Sequence, residues 1–395
     1  MTPKASGPLT VMLVAAEASG DGLGAGLARA LKAKLGADNV RFVGVGGAAM
    51  AAEGVKSPFD ISELSILGIL EGLKAYPRVV RRVRETVALA AAEKPDVAIL
   101  IDSWGFTLRV AKGLRALDPS MPLIKYVGPQ VWASRPGRAK TLAASVDHLL
   151  ALHSFDAPWF EREGLPVTVV GSSALAKDFS GADPARLRER IGAAPDDQIL
   201  LVLPGSRPAE IAHVMPAFED AVNILKADCL GLHIVVPVAD TVAETVKARV
   251  AGWPHRAHVL EGEEAKLDAM KAATVALACS GTVTTELALA GAPMVIGYRI
   301  GATTYAILKF LIKTPWVTLF NIAARDFVAP EFIQSRCTGP ELAKAIAFRL
   351  DHPEVREQQI AAQNAALDLM GRSLAHPSET AADAVIKVLK GKGRL

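Results

Sequence analysis

Short apolar runs alternate with longer segments of helical periodicity along most of this chain. In the first half the runs stand at 9–15, 40–45, 97–102, 123–128, 148–152 and 167–171. In the second half they stand at 199–205, 232–238, 273–279, 293–298 and 316–320. The runs are mostly apolar and do not alternate with polar residues, which is typical of strands buried on both faces of a parallel sheet. The segment 22–35 carries leucine at every fourth position from Leu23, which predicts a helix with one apolar stripe.

The strand–helix alternation occurs twice, and a polar stretch at 177–197 separates the two series. We therefore predict two doubly wound α/β domains, at 1–175 and 176–345, followed by a strand-free helical tail at 346–395. Ligands of such domains bind outside the carboxyl ends of the strands. The polar residues that follow the apolar runs are therefore the candidate functional residues.

Composition narrows the class of protein. With 395 residues, 51% of them hydrophobic and 22% charged, the chain can form two globular cores. The net charge of +3 and the aromatic content of 5% disfavour nucleic acid as a partner. No zinc-ligand spacing occurs, so we expect no metal. Three widely separated cysteines fit a reducing compartment without disulfide bonds: Cys229, Cys279 and Cys337.

Two apolar stretches bear on targeting. Lys4 and the apolar residues after it resemble a secretion signal, but they lead directly into an acidic, glycine-rich turn. A buried first strand is therefore the prediction. The runs at 64–70 and 305–312 are shorter than the about 20 residues that span a bilayer.

A basic segment follows the apolar stretch 64–73. An anionic membrane surface would attract such a pairing of basic and apolar residues. An amphipathic helix with a solvated basic face is an equal alternative. The basic residues are Lys74, Arg78, Arg81, Arg82 and Arg84.

The turn after the first apolar run allows three interpretations. Gly20, Gly22 and Ala25 loosely match a dinucleotide-binding fingerprint, but a carboxylate at Glu17 would repel a pyrophosphate. Side chains at 19 and 21 could instead cap the helix that follows. The same polar side chains could also contact a sugar.

Three further strand ends carry candidate chemistry. Asp102 closes an apolar run, where a carboxylate is a candidate general base or a helix cap. Residues 205–207 precede a helix, and their amides and guanidinium suit a phosphate, although a plain turn is the alternative. Residues 280–282 repeat this arrangement. Glu286 follows them, where it could bind ribose hydroxyls or interact with the helix dipole.

Several motifs occur together in one order. They are EASGDG at 17–22, VGVGGAAM at 43–50, ELSILGILEGL at 63–73, YVGPQVWASRPGR at 126–138, LPGSRPAEI at 203–211 and CSGTVTTELAL at 279–289. This set resembles the lipid-A-disaccharide synthases, and the similarity runs from about residue 9 to 345.

The resemblance implies a GT-B glycosyltransferase, with two facing Rossmann-like domains and the reaction in the cleft. It implies an inverting transfer from UDP-2,3-diacylglucosamine to 2,3-diacylglucosamine 1-phosphate. The products would be the β-1,6-linked disaccharide 1-phosphate of lipid A biosynthesis and UDP, with no cofactor or metal. The expected location is cytoplasmic, peripheral on the cytoplasmic face of the inner membrane, and a homo-oligomer is also allowed.

The resemblance also assigns residues. Asp102 matches the general base of the family, and Glu17, Ser19 and Asp21 match a second catalytic loop on the acceptor side. Residues expected to bind UDP are Gly205, Ser206, Arg207, Glu210, Ser280, Gly281, Thr282, Glu286 and Asn321. Residues expected to face the membrane or acyl chains are Leu64, Ile66, Leu67, Ile69, Leu70, Arg78, Arg81 and Arg82.

Departures from the family pattern are confined to strand ends of the first half. They fall at 101–107, 128–134, 153–156 and 170–173, and include Gly105, Thr107, Ser134 and Ser172. One explanation is a divergent synthase, and another is a paralogue with a different acceptor. A UDP-sugar epimerase or hydrolase, or an inactive protein that binds a UDP-sugar or lipid, also remains open.

Overall fold

The computed structural model describes residues 7–64, 69–229, 231–302, 305–306, 309, 312, 314–374 and 376–395, without the side chains of 69–75. The chain forms two compact units. The first consists of the residues up to Ser172 together with Leu374–Leu395, and the second of Ser173–Ser373.

The first unit has a parallel sheet whose six described strands lie in the order β2-β1-β3-β4-β5-β6. The strands are β1 (Leu9–Val14), β2 (Val40–Val45), β3 (Val97–Ile101), β4 (Leu123–Tyr126), β5 (His148–Ala151) and β6 (Val167–Val169). The helices described here are α1 (Ala18–Leu35), α2 (Ala48–Ala52), α3 (Ile69–Glu93), α4 (Trp104–Leu117), α5 (Arg138–Ala143) and α6 (Ala157–Glu161).

The second unit repeats this architecture, with six described strands in the order β12-β11-β10-β7-β8-β9. The strands are β7 (Ile199–Leu203), β8 (His233–Pro237), β9 (Ala257–Leu260), β10 (Val275–Cys279), β11 (Met294–Tyr298) and β12 (Glu331–Ile333). The helices described here are α7 (Pro184–Ile191), α8 (Pro208–Asp228), α9 (Ala243–Ala251), α10 (Glu263–Ala272), α11 (Thr282–Ala290), α12 (Leu319–Ala324), α13 (Gly339–Asp351) and α14 (Pro353–Leu369).

The unbroken apolar runs follow from burial of both sheet faces. Successive residues of a strand point to opposite faces. Val11 and Leu13 of β1 enter a core shared with α1, whereas Met12 and Val14 enter a second core shared with α4. All four side chains are buried, so the strand has no polar face.

The C-terminal helices do not form a separate tail, in contrast to the prediction for 346–395. Helices α13 and α14 belong to the second unit, whereas the last helix, α15 (Pro377–Gly391), belongs to the first. Val385 and Leu389 of α15 are buried in the core that also contains Leu27 and Leu31 of α1. The sequence alone predicted helices here but not which unit each one packs against.

The prediction of a strand at 316–320 is wrong. Residues 316–318 are a loop, and Leu319 begins α12. The amides of Val317 and Thr318 donate to the buried carboxylate of Glu331, at 2.9 Å and 2.8 Å. These amides bond to a side chain and not to a neighbouring strand. The edge of the sheet is formed by the short strand β12, which pairs with β11 and which the apolar pattern did not reveal.

Candidate active site

The candidate residues gather where each sheet reverses its strand order. This occurs between β1 and β3 in the first unit and between β7 and β10 in the second. In doubly wound sheets, ligands bind at such points, outside the carboxyl ends of the strands. Glu17 follows β1 and Asp102 follows β3, whereas 205–207 follow β7 and 280–282 follow β10. The structure therefore brings the predicted residues to one candidate site in each unit.

The second unit contains a pocket of about 540 Å³ at this position. This volume is within the range of small-molecule sites, about 300–1,000 Å³. Eight of the nine residues predicted to bind UDP line it: Gly205, Ser206, Arg207, Glu210, Ser280, Gly281, Thr282 and Glu286.

The turn before α8 is held by Glu210. Its carboxylate accepts from the amides of Ser206 and Arg207, at 2.9 Å and 3.2 Å, and pairs with the Arg207 guanidinium at 2.9 Å. Gly205 has φ of +121°, and a Cβ there would lie 2.7 Å from the Glu210 Cβ. Glu210 thus lines the pocket as a helix cap, while the Arg207 side chain, 77% exposed, is accessible to an anion.

The turn before α11 has no side-chain cap. Gly281 precedes the helix, and no side-chain hydrogen bond occupies the cap position. The first main-chain amides of such a helix have no acceptor within the helix, so they can donate hydrogen bonds to an anion. On the next turn, Glu286 pairs with Lys266 at 2.6 Å, and both line the pocket.

Asn321 lies outside the lining of this pocket. Its side chain is fully buried in α12 and donates to the Ala329 carbonyl and the Glu331 carboxylate, each at 2.9 Å. Its amide oxygen accepts from the Ala329 amide at 3.0 Å. Asn321 therefore anchors the loop before β12, and contact with UDP stays a prediction that would require this loop to rearrange.

In the first unit, Asp102 lies in an unusual backbone turn. Asp102 and Ser103 have φ of +47° and +39°, in the left-handed region that costs an L-residue free energy. The Asp102 amide donates to the Tyr126 carbonyl at 2.9 Å, which joins the turn to β4. The carboxylate is half-buried at the carboxyl end of β3.

Glu17 is electrostatically coupled to Asp102. Burial, and then the negative charge of Asp102, raise the pKa of Glu17 above its ordinary value. Glu17 also lines a cavity of about 310 Å³ in this unit with Ser103, Phe106 and Arg109. A carboxyl group with a raised pKa at the wall of a cavity is typical of acid–base sites.

The structure gives Asp21 a structural role, and its catalytic role stays a prediction. Asp21 is 6% exposed, and its carboxylate accepts from the amides of Gly47, Ala49 and Met50 at 2.7 Å, 2.9 Å and 3.0 Å. It caps α2, so it positions the loop after β2. The alternative that Asp21 or Ser19 caps α1 is also wrong, since α1 has no side-chain cap. Ser19 is exposed at the start of α1.

Two residues predicted to face a membrane make contacts within the first unit instead. Leu64 is 7% exposed and belongs to the core. The Arg82 guanidinium pairs with Glu63 at 2.6 Å and stacks 4.6 Å from the Phe59 ring centre. Arg78 and Arg81 are exposed, so their predicted role is retained as a prediction. Ile66 and Leu67, and the side chains of Ile69 and Leu70, lie outside the described residues.

The altered loops of the first unit contact one another. The Trp132 indole donates to Asp156 at 2.8 Å, and the His153 ring stacks on Phe155 at 5.1 Å. Burial raises the pKa of Asp156 above its ordinary value. The departures at 128–134 and 153–156 thus belong to one cluster at the end of β5.

Sequence reasoning missed three site residues. Asp240 and Lys266 line the pocket of the second unit. The short strand β9 leads to Lys266, and its four residues gave no clear apolar run. Lys125 is buried beside Asp102, and a lysine inside the apolar run 123–128 was the available signal.

The architecture defines a protein of the GT-B fold class. The structure of S. aureus MnaA with UDP matches with a TM-score of 0.61 and 14% identity, covering 98% of each chain. The glycotransferase of kitacinnamycin matches with a TM-score of 0.60 and 16% identity, covering 97% of this chain and 99% of that one. At these identities the likeness establishes the fold.

Sequence comparison identifies the family. The chain belongs to the LpxB family, lipid-A-disaccharide synthetase, whose sequence model matches residues 11–385. The lipid-A-disaccharide synthase of Rhodospirillum centenum is 41% identical, over 97% of this chain and 95% of its own. That of Nitrobacter hamburgensis is 42% identical, over 96% and 95%. The resemblance found in the motifs is therefore confirmed, and the chain is a glycosyltransferase of lipid A disaccharide synthesis.

Two features are absent from the described part of the chain. It contains no helix with the length and apolarity needed to cross a bilayer. It also contains no group of three or more His, Cys, Asp or Glu side chains arranged to hold a metal ion.

Proposed function

We propose that this protein transfers a 2,3-diacylglucosaminyl group from its UDP derivative to the 6-hydroxyl group of 2,3-diacylglucosamine 1-phosphate. The acceptor oxygen attacks C1 of the donor sugar, and its proton passes to the Asp102 carboxylate. The bond between C1 and the diphosphate breaks, and UDP leaves with the electron pair. The product is a β-1,6-linked disaccharide 1-phosphate.

The pocket between α8 and α11 is the observation that carries this proposal. An uncapped helix start and an exposed guanidinium meet there, and both stabilise the negative charge of a leaving diphosphate. Glu286 would accept hydrogen bonds from ribose hydroxyls, with Lys266 holding its carboxylate in place. Pro237, Val238 and Ala239 provide an apolar side for the uracil ring.

The first unit would bind the acceptor. Asp102 and Glu17 supply two carboxyl groups at the switch point, and Glu17 keeps its proton to a higher pH than an ordinary glutamate. The cavity lined by Glu17 also has apolar walls, including Leu64 and Phe106, that suit part of an acyl chain. Arg109 is exposed at the same cavity, where its guanidinium would pair with the acceptor phosphate.

Both substrates carry acyl chains, so the protein would work at a lipid surface. The exposed guanidinium groups of Arg78 and Arg81 support contact with anionic lipid headgroups. We propose a peripheral location on the cytoplasmic face of the inner membrane. Flotation with anionic and neutral vesicles tests this, and equal flotation with both would contradict it.

The activity is tested with purified protein and both substrates. We expect UDP release, a disaccharide 1-phosphate by mass spectrometry, and a loss of rate of about 10²–10⁴-fold in Asp102→Asn with UDP affinity retained. Asp38→Asn, at an exposed aspartate of the same unit, is the matched control. Turnover of the UDP-sugar without acceptor would instead indicate a hydrolase or epimerase, and UDP binding without turnover a binding protein.

A further inference from the structure

Lys125 is a buried lysine that the proposed reaction does not yet use. It lies on β4, between β3 and β5, and is 3% exposed. The gap beside its side chain has no room for a water molecule. The neighbouring side chains in this gap are mostly apolar: Leu100, Trp104, Leu108, Ala111, Leu142 and Val146. An isolated ammonium group in such surroundings is unfavourable unless protein atoms replace its lost water.

Those protein atoms belong to the turn that carries Asp102. The Lys125 ammonium donates to the main-chain carbonyl of Asp102 and to the Thr107 hydroxyl oxygen, the latter at 2.9 Å. The Thr107 hydroxyl oxygen lies 2.7 Å from the same carbonyl oxygen and 2.9 Å from that of Ser103. One buried cluster therefore holds both carbonyl groups of the left-handed turn.

The turn needs such support because its backbone conformation is strained. Neither Asp102 nor Ser103 is a glycine, and conformations of this kind persist only where the surroundings hold them. A small rotation of the turn would redirect the Asp102 carboxylate, and general-base catalysis depends on reach to the proton. The position of the carboxylate is thus connected to the buried amine behind it.

We propose that Lys125 is a positioning residue, which holds the carbonyl oxygen of Asp102 and thereby aims its carboxylate at the acceptor hydroxyl. This inference rests on the proposed role of Asp102 as the base. Thr107 is the second residue that holds this turn. Its hydroxyl group contacts both the Lys125 ammonium and the Asp102 carbonyl, so the two side chains hold the turn together.

The groups that face Lys125 can be named for each element packed against it. Just after β3, the negative charge of Asp102 favours the charged form of Lys125. On β5 its partner in the sheet is the apolar Leu149. On α4 it meets Thr107 and apolar side chains, and Arg138 of α5 stacks 5.1 Å from the Trp104 ring.

Burial, partly offset by Asp102, lowers the pKa of Lys125 to about 7. The charged ammonium is the stronger donor to the Asp102 carbonyl. We therefore expect kcat of the wild-type protein to fall as the pH rises through about 7. Lys125→Met has no ionisable amine at this position, so its kcat should not fall in this pH range.

A double-mutant cycle separates positioning from a general structural effect. Lys125→Met should lower kcat about 10-fold to 100-fold while KM for the UDP-sugar changes less than about twofold. In an Asp102→Asn background the same change should have no further effect, because Lys125 acts through Asp102. Equal losses in both backgrounds, or wild-type kcat in Lys125→Met, would overturn the inference.

Thr107 provides a second, milder test. Thr107→Ser keeps the hydroxyl group and should retain kcat, whereas Thr107→Val keeps the shape and should lose about as much as Lys125→Met. Equal kcat in Thr107→Ser and Thr107→Val would contradict a role of the Thr107 hydroxyl group in holding the turn. If Asp102→Asn itself keeps the wild-type rate, the proposed base fails, and that result is distinct from failure at Lys125 alone.

Discussion

Replacing Asp21 tests whether this residue acts in structure or in chemistry. The Asp21 carboxylate accepts from three main-chain amides of the loop and helix at 47–50, and only 6% of the residue is exposed. Asp21→Ala leaves all three donors without this acceptor. Asp21→Asn keeps one carbonyl oxygen but turns an amino group toward one of the amides, so one contact becomes repulsive.

The magnitude follows from these contacts. A hydrogen bond to a charged group contributes about 1.5–3 kcal/mol, and an unsatisfied buried donor costs about 1–3 kcal/mol. Because the three contacts share one carboxylate, their effects do not add fully. We expect Asp21→Ala to lower the free energy of unfolding of the first unit by about 3–5 kcal/mol, and Asp21→Asn by about 1.5–3 kcal/mol.

Urea unfolding, with hydrogen exchange of peptides from 40–55 to localise the change, measures this effect. Asp38→Asn, at an exposed aspartate, is the control and should change stability by less than about 0.5 kcal/mol. Where Asp21→Asn is still folded, its kcat should stay within about tenfold of wild type. Wild-type stability combined with loss of activity comparable to that of Asp102→Asn would refute the structural role.

Three other changes have defined outcomes. The pKa of Lys125 is lowered from 10.5 to about 7 in the folded protein, so between these pH values the unfolded chain binds one more proton than the folded chain. The free energy of unfolding of the wild type should therefore rise with pH in this window, by up to about 1.4 kcal/mol per pH unit relative to Lys125→Met. The same pH dependence of urea unfolding in both proteins would contradict this. Gly205→Ala places a Cβ against Glu210 and should weaken UDP binding at least about tenfold by calorimetry, whereas Gly281→Ala meets no atom within 4 Å and should lose less; equal losses would refute the steric argument. Glu331→Gln disturbs the carboxylate that holds the loop before α12 and should lower thermal stability by about 1–3 kcal/mol, and an unchanged melting curve would exclude this role.

Local patterns were sufficient for much of the fold. Strands such as β1 and β3 are buried on both faces, so each appears as an unbroken apolar run that needs no knowledge of its partners. Turns at strand ends carry their chemistry in consecutive residues, so 205–207 and 280–282 were located at the pocket by the sequence. The short edge strand β12 was missed because three residues are too few to show a hydrophobic periodicity.

The sequence by itself therefore determined the class of fold, the family and the strand ends at which the candidate pocket lies. Only the tertiary structure decided what individual charged residues do there. Asp21 caps a helix that begins 27 residues later, Arg82 pairs with Glu63, and Lys125 reaches the turn of Asp102. The physical reason is that the free energy of a charge depends on burial and on partners distant in the chain. Periodicity predicts which face is buried, but only packing brings those partners together.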